Sequence, residues 1–208
     1  MTAHHRHPAL ILLLALLLSG CTGWLQGQRP PPQTPHDLGW LPPPSAIELR
    51  EVPLLAVDAP PWLNDLAVRY RQSGTDETAL HSYPDDQWLA APRELLLDRL
   101  QQTLLAAHPA AADPQSPRYR LEVRLLRFEQ EYTGPSATAV VALQAVLKEP
   151  RGRRQWASPL LEGRVASATG PAGAVRGLGQ ATDQAIGRLL AWLAETQLRH
   201  AALAEPSP

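Results

Sequence analysis

RYRLEVRLLRFEQEY (residues 118–132) and SATAVVALQAVLK (residues 136–148) are neighbouring stretches in which apolar and polar side chains alternate. Alternation with a period of two predicts β-strands with one buried face. The apolar positions that share a face are Tyr119, Leu121, Val123 and Leu125 in the first stretch and Val141, Leu143, Ala145 and Leu147 in the second. Gly134-Pro135 between them is typical of a turn. The two stretches therefore predict two long strands joined by a turn.

The alternation breaks at Leu125-Leu126, where two leucines follow one another. An extra residue in one strand of a pair is a β-bulge, and it restores the phase of the alternation beyond the break. We therefore expect a bulge at this point of the first strand.

Further strands are expected before and after these two stretches along the chain. Ile47 to Val57 alternates weakly and contains Pro53, and Leu66 to Arg71 places Leu66, Val68 and Tyr70 on one face. Ala79 to Tyr83 follows a Ser-Gly-Thr-Asp turn and is expected to return as the other arm of a hairpin. A third long strand, Gln155 to Ala168, follows a charged turn at residues 149–154 and is interrupted at Pro159.

Two helices complete the pattern. Pro92 to Ala107 begins with a proline suited to the first turn and carries a stripe of leucines, and Ala174 to Leu198 has apolar residues at helical spacing. The glycines of residues 170–179 (GPAGAVRGLG) predict a flexible loop before the second helix. The order predicts an α+β fold in which two helices cover one face of an antiparallel-rich mixed sheet.

The N-terminus has the three parts of a lipoprotein signal peptide. His4-His5-Arg6-His7 is basic, and Ala9 to Leu18 is an apolar run of about ten residues, about half the length that spans a bilayer. Leu18-Ser19-Gly20-Cys21 then forms a lipobox, in which small residues admit the peptidase and the thiol accepts the lipid. We therefore expect cleavage before Cys21, covalent lipidation (diacylglycerol and palmitate) of Cys21, and no other cofactor.

The sequence divides into a signal peptide (residues 1–20), a proline-rich tether (21–44), a folded domain (45–200) and a disordered tail (201–208). Cleavage removes only Arg6 among the charged residues, which leaves 18 basic and 20 acidic residues. This balance gives no general attraction to nucleic acid. Thr22 is not the aspartate that retains many lipoproteins in the inner membrane, so we expect the outer membrane.

No pattern of residues predicts catalysis or metal binding. The histidines that survive cleavage, His36, His81, His108 and His200, lack metal-ligand spacing. Asp85-Asp86 is more typical of a solvated turn than of a catalytic pair. The glycines of residues 170–179 lack the lysine of a phosphate-binding loop, and no G-x-S-x-G elbow is present. We therefore expect a protein that is not an enzyme.

The tryptophans leave two interpretations open. Trp62 and Trp88 fall in segments that we expect to be irregular, where a tryptophan is either a core residue or a binding anchor. We expect the partner contact to involve the segment from Tyr83 to Trp88, with Tyr83 and Trp88 as the candidate contacts, and a core position of Trp88 stays open. Trp156 and Trp192 lie on expected regular elements and are interpreted as packing residues.

Short motifs across residues 47–195 resemble those of the ABC-type transport auxiliary lipoproteins, the PqiC-like family. In chain order they are WLND (62–65), VRYR (68–71), the segment Tyr83 to Pro92, ELL (94–96), FEQ (128–130), LQAVL (143–147), AGAV (172–175), ATD (181–183) and Trp192-Leu193. One departure is SAIEL at residues 45–49, where the family often has Tyr-Tyr-x-Leu. That difference affects the expected register of the first strand.

The resemblance implies a partner rather than a substrate. It implies a non-enzymatic lipoprotein at the periplasmic face of the outer membrane that docks the periplasmic MCE-family protein of an ABC transporter system for lipid trafficking. The alternative is a periplasmic lipid-binding carrier, which would need an apolar cavity. The oligomeric state stays open, with a homo-oligomer among the options.

Replacement of the lipidated thiol tests the anchor. Cys21→Ala should yield either an uncleaved precursor in the inner membrane or a soluble protein, because several acyl chains are needed for stable membrane attachment. Fractionation and N-terminal sequencing measure this. A variant that is still cleaved before residue 21 and sediments with the outer membrane would contradict lipidation.

Overall fold

The computed structural model describes residues 33–43, 46–47, 49, 53–74, 76–107, 119–149 and 154–204. These residues form an α+β fold, as the sequence predicts, with one mixed eight-stranded sheet and two α-helices. The strands are β1 (Thr34–His36), β2 (Leu54–Asp58), β3 (Ala67–Ser73), β4 (Asp76–Trp88), β5 (Arg120–Thr133), β6 (Ser136–Lys148), β7 (Gln155–Ala157) and β8 (Leu161–Ser167). The helices are α1 (Pro92–Ala106) and α2 (Pro171–Ala204), and a short 3₁₀ helix covers Pro61–Leu63.

The hairpin of β5 and β6 is the centre of the sheet, and its strands pair from Arg120↔Lys148 to Thr133↔Ser136 with one shift of register. Gly134 turns the chain with a φ of 57°, which glycine adopts without steric cost. The predicted bulge is confirmed, because Leu125 pairs with Leu143 whereas Arg127 pairs with Ala142. Leu126 is the extra residue. If Leu126 instead took a regular place in the pairing, Arg127 rather than Phe128 would point into the core.

Other strands are added on both sides of this hairpin. Parallel β2 covers one half of β5 and parallel β3 the other half, and β4 and β1 follow beyond β3. On the far side, β7 and β8 both pair antiparallel with β6. The interruption predicted at Pro159 is confirmed, since Pro159 lies between β7 and β8.

Both helices pack on the same face of the sheet, where the apolar positions of the hairpin meet them. The largest fully buried side chains on this side are Leu121, Leu125, Phe128, Leu143 and Leu147 of the hairpin, Trp88 of β4, Leu96, Leu100 and Leu104 of α1, and Leu178 and Leu189 of α2. Each buried leucine stabilises the fold by about 1.5–3 kcal/mol relative to an exposed one. The helix-covered face therefore contains the core.

The glycine-rich segment predicted to be a flexible loop is helical instead, and that prediction was wrong. α2 begins at Pro171, and a Cβ on Gly173 would overlap the carbonyl oxygen of Ala168. A Cβ on Gly177 would lie 2.8 Å from the Cβ of Ala139. Close approach of the helix to the sheet thus explains these glycines, and it outweighs their low helix propensity of about 1 kcal/mol each.

Two further expectations differ from the structure. The segment from Tyr83 to Trp88 is extended, as part of β4, rather than irregular; β4 lies near the edge of the sheet, where a proline such as Pro84 is tolerated. The tether was expected to reach Pro44, yet Thr34–His36 pairs with Asp86–Trp88, and His36 Nε2 lies 2.7 Å from Asp86 Oδ1.

Within the described residues, neither helix combines the length and apolarity needed to cross a bilayer.

The glycines offer a direct test of this packing. Gly163→Ala should lower the free energy of unfolding by about 1–3 kcal/mol, because its methyl group would overlap the carbonyl oxygen of Ala181 in α2. Gly187→Ala should raise it by about 0.4–1 kcal/mol, because a Cβ there meets nothing within 4 Å and alanine favours the helix. Urea unfolding of both variants measures the difference. Unchanged stability of Gly163→Ala would contradict the described contact between α2 and β8, and destabilisation by Gly187→Ala would contradict the open space at Gly187.

Candidate functional site

Trp88, one of the two residues proposed as partner contacts, lies in the core. Its side chain has no exposed area, and its ring packs edge-on against Phe128 with 5.3 Å between centroids. Its Nε1 is buried and has no hydrogen-bond partner among the described residues. The burial of Trp88 therefore supports its interpretation as a core residue rather than as a binding anchor.

Tyr83, the other proposed contact, is half-buried and belongs to a hydrogen-bond network on the helix-covered side. Its hydroxyl donates to Gln130 Oε1 at 2.7 Å and lies 2.8 Å from the hydroxyl of Tyr132. Tyr132 in turn accepts from the backbone N–H of Gly170, just before α2. Burial and the Tyr132 hydroxyl raise the pKa of Tyr83 above its ordinary value. Tyr83 therefore joins β4 to β5 and to the start of α2.

Cys21 and Thr22, on which lipidation and sorting depend, lie outside the described residues. Their roles stay predictions.

The face of the sheet opposite the helices carries a network of ion pairs. Arg71 donates to Glu129 at 3.1 Å, and Arg127 donates to both Glu129, at 2.5 Å, and Glu131. Arg164 of β8 reaches Glu131 at 2.5 Å. Burial alone would raise the pKa of Glu131, but hydrogen bonds from Arg127 and Arg164 lower it below the ordinary value. This stabilisation is present above the ordinary carboxyl pKa and is lost as the pH falls through the lowered one.

The network crosses a strand of smaller residues. Arg127 and Glu129 of β5 pair with Ala142 and Val140 of β6, which pair in turn with positions of β8. β5 and β8 are thus two strand spacings apart, which is about 10 Å. A long arginine side chain spans this distance only if the side chains of β6 beneath it are short. Val140 and Ala142 are almost fully buried beneath these ion pairs, although neither of the two described helices packs on this face.

At one end of this network the face forms an open hollow of about 570 Å³. It is lined by Trp62, Arg69, Arg71, Thr78, Leu80, Leu126, Arg127 and Glu129. Trp62 is 57% exposed, an unusual environment for a large aromatic side chain, and Leu126 reaches this face as the extra residue of the bulge. We call this surface the Trp62 hollow. It combines tryptophan and arginine, the residue types that dominate binding energy in protein interfaces.

On the opposite side, residues 38–43 cross the helices and form one wall of a groove. Arg99 of α1 holds this segment, because its Nη2 donates to the carbonyl oxygens of Leu38, at 2.6 Å, and Gly39, at 2.9 Å. Gly179 permits the close approach, since a Cβ there would lie 2.7 Å from Leu38 O. Asp183 lies 3.7 Å from Arg99; burial raises its pKa above the ordinary value, and Arg99 opposes that shift.

The groove has a volume of about 490 Å³ and is mostly aliphatic. Its lining consists of Leu41, Pro42, Pro43, Thr103, Ala106, Val165, Gln180, Asp183, Gln184, Ile186, Gly187 and Leu190. We call it the helix groove. A second, more polar hollow of about 580 Å³ shares Gln180 and Asp183 with it and continues past Trp40 and Arg176.

Sequence reasoning did not find either surface. The sequence leaves Trp62 open as either a core residue or a binding anchor. The arginines of the Trp62 hollow occupy alternating strand positions that are typical of a solvated face. Among the described residues there is no group of three or more metal-capable side chains.

A comparison with known protein families shows to which family this chain belongs. The family model described as "ABC-type transport auxiliary lipoprotein component" matches residues 42–190. The chain belongs to this family. It is therefore a lipoprotein associated with ABC-type transport, in agreement with the resemblance of its motifs.

Solved structures agree with the fold of this auxiliary lipoprotein. A protein of the DUF330 family from Xanthomonas campestris has a TM-score of 0.64 at 21% identity, over 83% of this chain and 97% of that one. A crystal structure of an uncharacterized protein has a TM-score of 0.57 at 17% identity, over 77% and 99%. At these identities the likeness concerns the fold alone. No curated protein matches the sequence significantly.

The two tryptophans of this lipoprotein should respond differently to truncation. Trp88→Ala should lower the free energy of unfolding by about 3–5 kcal/mol, because it empties a core position, and Trp88→Phe should cost less since it also removes an unpaired donor. Trp62→Ala should change stability by about 0.5 kcal/mol or less. Denaturant titrations provide the comparison, and equal losses at the two positions would contradict the burial described here.

Proposed function

We propose that this auxiliary lipoprotein is a non-enzymatic adaptor that docks a periplasmic MCE-family protein of its ABC transporter at the outer membrane. The observation that carries the proposal is the Trp62 hollow, an exposed tryptophan beside three arginines on the face opposite the two described helices. Family membership supports the link to an ABC transporter. The MCE partner and the outer membrane rest on the resemblance and on Thr22.

The Trp62 hollow suits a protein partner for two physical reasons. Its arginines are held by Glu129 and Asp65, so they lose little side-chain entropy when a partner arrives. Trp62 is already exposed and can bury a large apolar surface without rearranging the core. A preformed polar rim around an aromatic anchor is the arrangement in which a few residues carry most of the binding energy.

Membrane anchoring strengthens such an interaction without new contacts. A domain held by its lipid on one membrane samples a small volume near any bridge that ends there, which raises its effective concentration. Weak contacts at the Trp62 hollow would then suffice for occupancy.

A crosslinking experiment tests the docking face. Trp62→Ala should reduce crosslinking to the MCE-family protein encoded with it, measured in cells, by about tenfold or more, because anchor residues contribute about 2 kcal/mol or more. Trp40→Ala is the matched control: Trp40 is 98% exposed but lies on the helix side, so its loss should leave crosslinking unchanged. Absence of any crosslink with the wild type would refute the adaptor function. Equal effects of both substitutions would refute this face.

A further inference from the structure

Gly187 occupies a helix position where glycine is unfavourable and where packing does not require it. The glycines at 173, 177 and 179 of α2 each lie against an atom that a Cβ would strike, whereas a Cβ on Gly187 would meet nothing within 4 Å. Glycine within a helix costs about 1 kcal/mol relative to alanine. The structural consequence of Gly187 is open space, because it lines the helix groove.

The length of the helix groove matches one acyl chain. Its lining along α2 runs from Gln180 to Leu190, which is about 15 Å at 1.5 Å per residue. The hydrocarbon core of a bilayer is about 30 Å thick, so one leaflet, and hence one acyl chain, also spans about 15 Å. The groove's volume of about 490 Å³ lies within the range of small-molecule sites.

The polarity of the helix groove is graded along the same direction. Gln180, Asp183 and Gln184 line the end nearer the start of α2, and Ile186, Gly187 and Leu190 line the other end. The polar end continues into the second hollow, which contains Arg176 and Asp37 as well as Asp183. A cationic and two acidic side chains at that end complement the phosphate and the ammonium of a zwitterionic headgroup.

We propose that the helix groove binds one acyl chain of a zwitterionic membrane phospholipid, with the chain lying along α2 over Gly187 and the headgroup near Arg176 and Asp183. This site is distinct from the Trp62 hollow and lies on the other face of the sheet. It gives this lipoprotein a direct contact with lipid that docking a partner does not require.

The test uses the mature chain with Cys21→Ser, so that its own anchor cannot occupy the groove. The probe is a phosphatidylethanolamine with a photoactivatable diazirine in one acyl chain, presented in phosphatidylethanolamine–phosphatidylglycerol vesicles. Labelled peptides mapped by mass spectrometry should contain residues 41–43 or residues 180–190. No labelling, or labelling confined to other residues, would overturn the proposal.

Gly187→Leu blocks the helix groove with a side chain whose Cβ meets nothing within 4 Å. Labelling should fall about tenfold or more, because each methylene kept out of the groove weakens binding severalfold. Thermal stability should not fall, since the site is open and leucine favours a helix. Ala191→Leu, at an exposed position of the same helix outside the groove, should label as the wild type does.

Wild-type labelling of the Gly187→Leu variant would refute the acyl-chain site. Loss of crosslinking to the MCE-family protein in Gly187→Leu, with lipid labelling unchanged, would show that the groove takes a protein segment instead and would also overturn the proposal. Because Trp62→Ala should leave lipid labelling intact, failure of the docking face and failure of the lipid site are distinguishable.

Discussion

The bulge at Leu126 is the constraint on which the two faces of the sheet depend. Strand side chains alternate strictly, so a core that contains both Leu125 and Phe128 needs one extra residue between them. The same insertion sets Arg127, Glu129 and Glu131 on the opposite face, where they meet Arg71 and Arg164. If the register slipped by one residue, charged side chains would be buried beneath the helices and the ion-pair network would be lost.

The two faces are closed by different physical means. One face is covered by the helices, and glycine permits the close approach: Gly163 lies against the backbone of Ala181 in α2, and Gly177 lies against the Cβ atoms of Ala139 and Ser167. On the other face no helix of the described residues packs, and paired side chains lie above Val140 and Ala142. Ion pairs contribute little net stability whether they are exposed or, as at Glu129, buried, so the apolar face supplies most of the folding free energy. The ion-paired face is therefore the one that can bind a partner without weakening the core.

Much of the fold could be predicted from the sequence because the signals were local. The β5–β6 hairpin, its bulge and its turn follow from alternation and from Gly134-Pro135. The first turns of α2 could not be predicted, because glycine at positions 173 and 177 opposes a helix locally. These glycines are explained by their contacts with Ala168 and Ala139, both of which lie outside the helix. Tyr83 to Trp88 looked irregular because Pro84 and Asp85-Asp86 disfavour a central strand, although a position near the sheet edge tolerates them. The Trp62 hollow needs the register of three strands, which a single sequence does not specify.

Strand β8 connects the ion-pair network on one face of the sheet to the helix groove on the other. Arg164 belongs to the ion-pair network on one face, and its neighbour Val165 lines the helix groove on the other, because successive side chains of a strand point in opposite directions. The backbone N–H of Arg164 is also bonded to Gln184 of α2, whose side chain borders the groove. The Trp62 hollow and the helix groove share no lining residue, so their occupants do not compete for space and any effect of one on the other must pass through the sheet between them. Any such coupling is reciprocal by thermodynamic necessity: if a docked partner changes the affinity for lipid, lipid changes the affinity for the partner by the same factor.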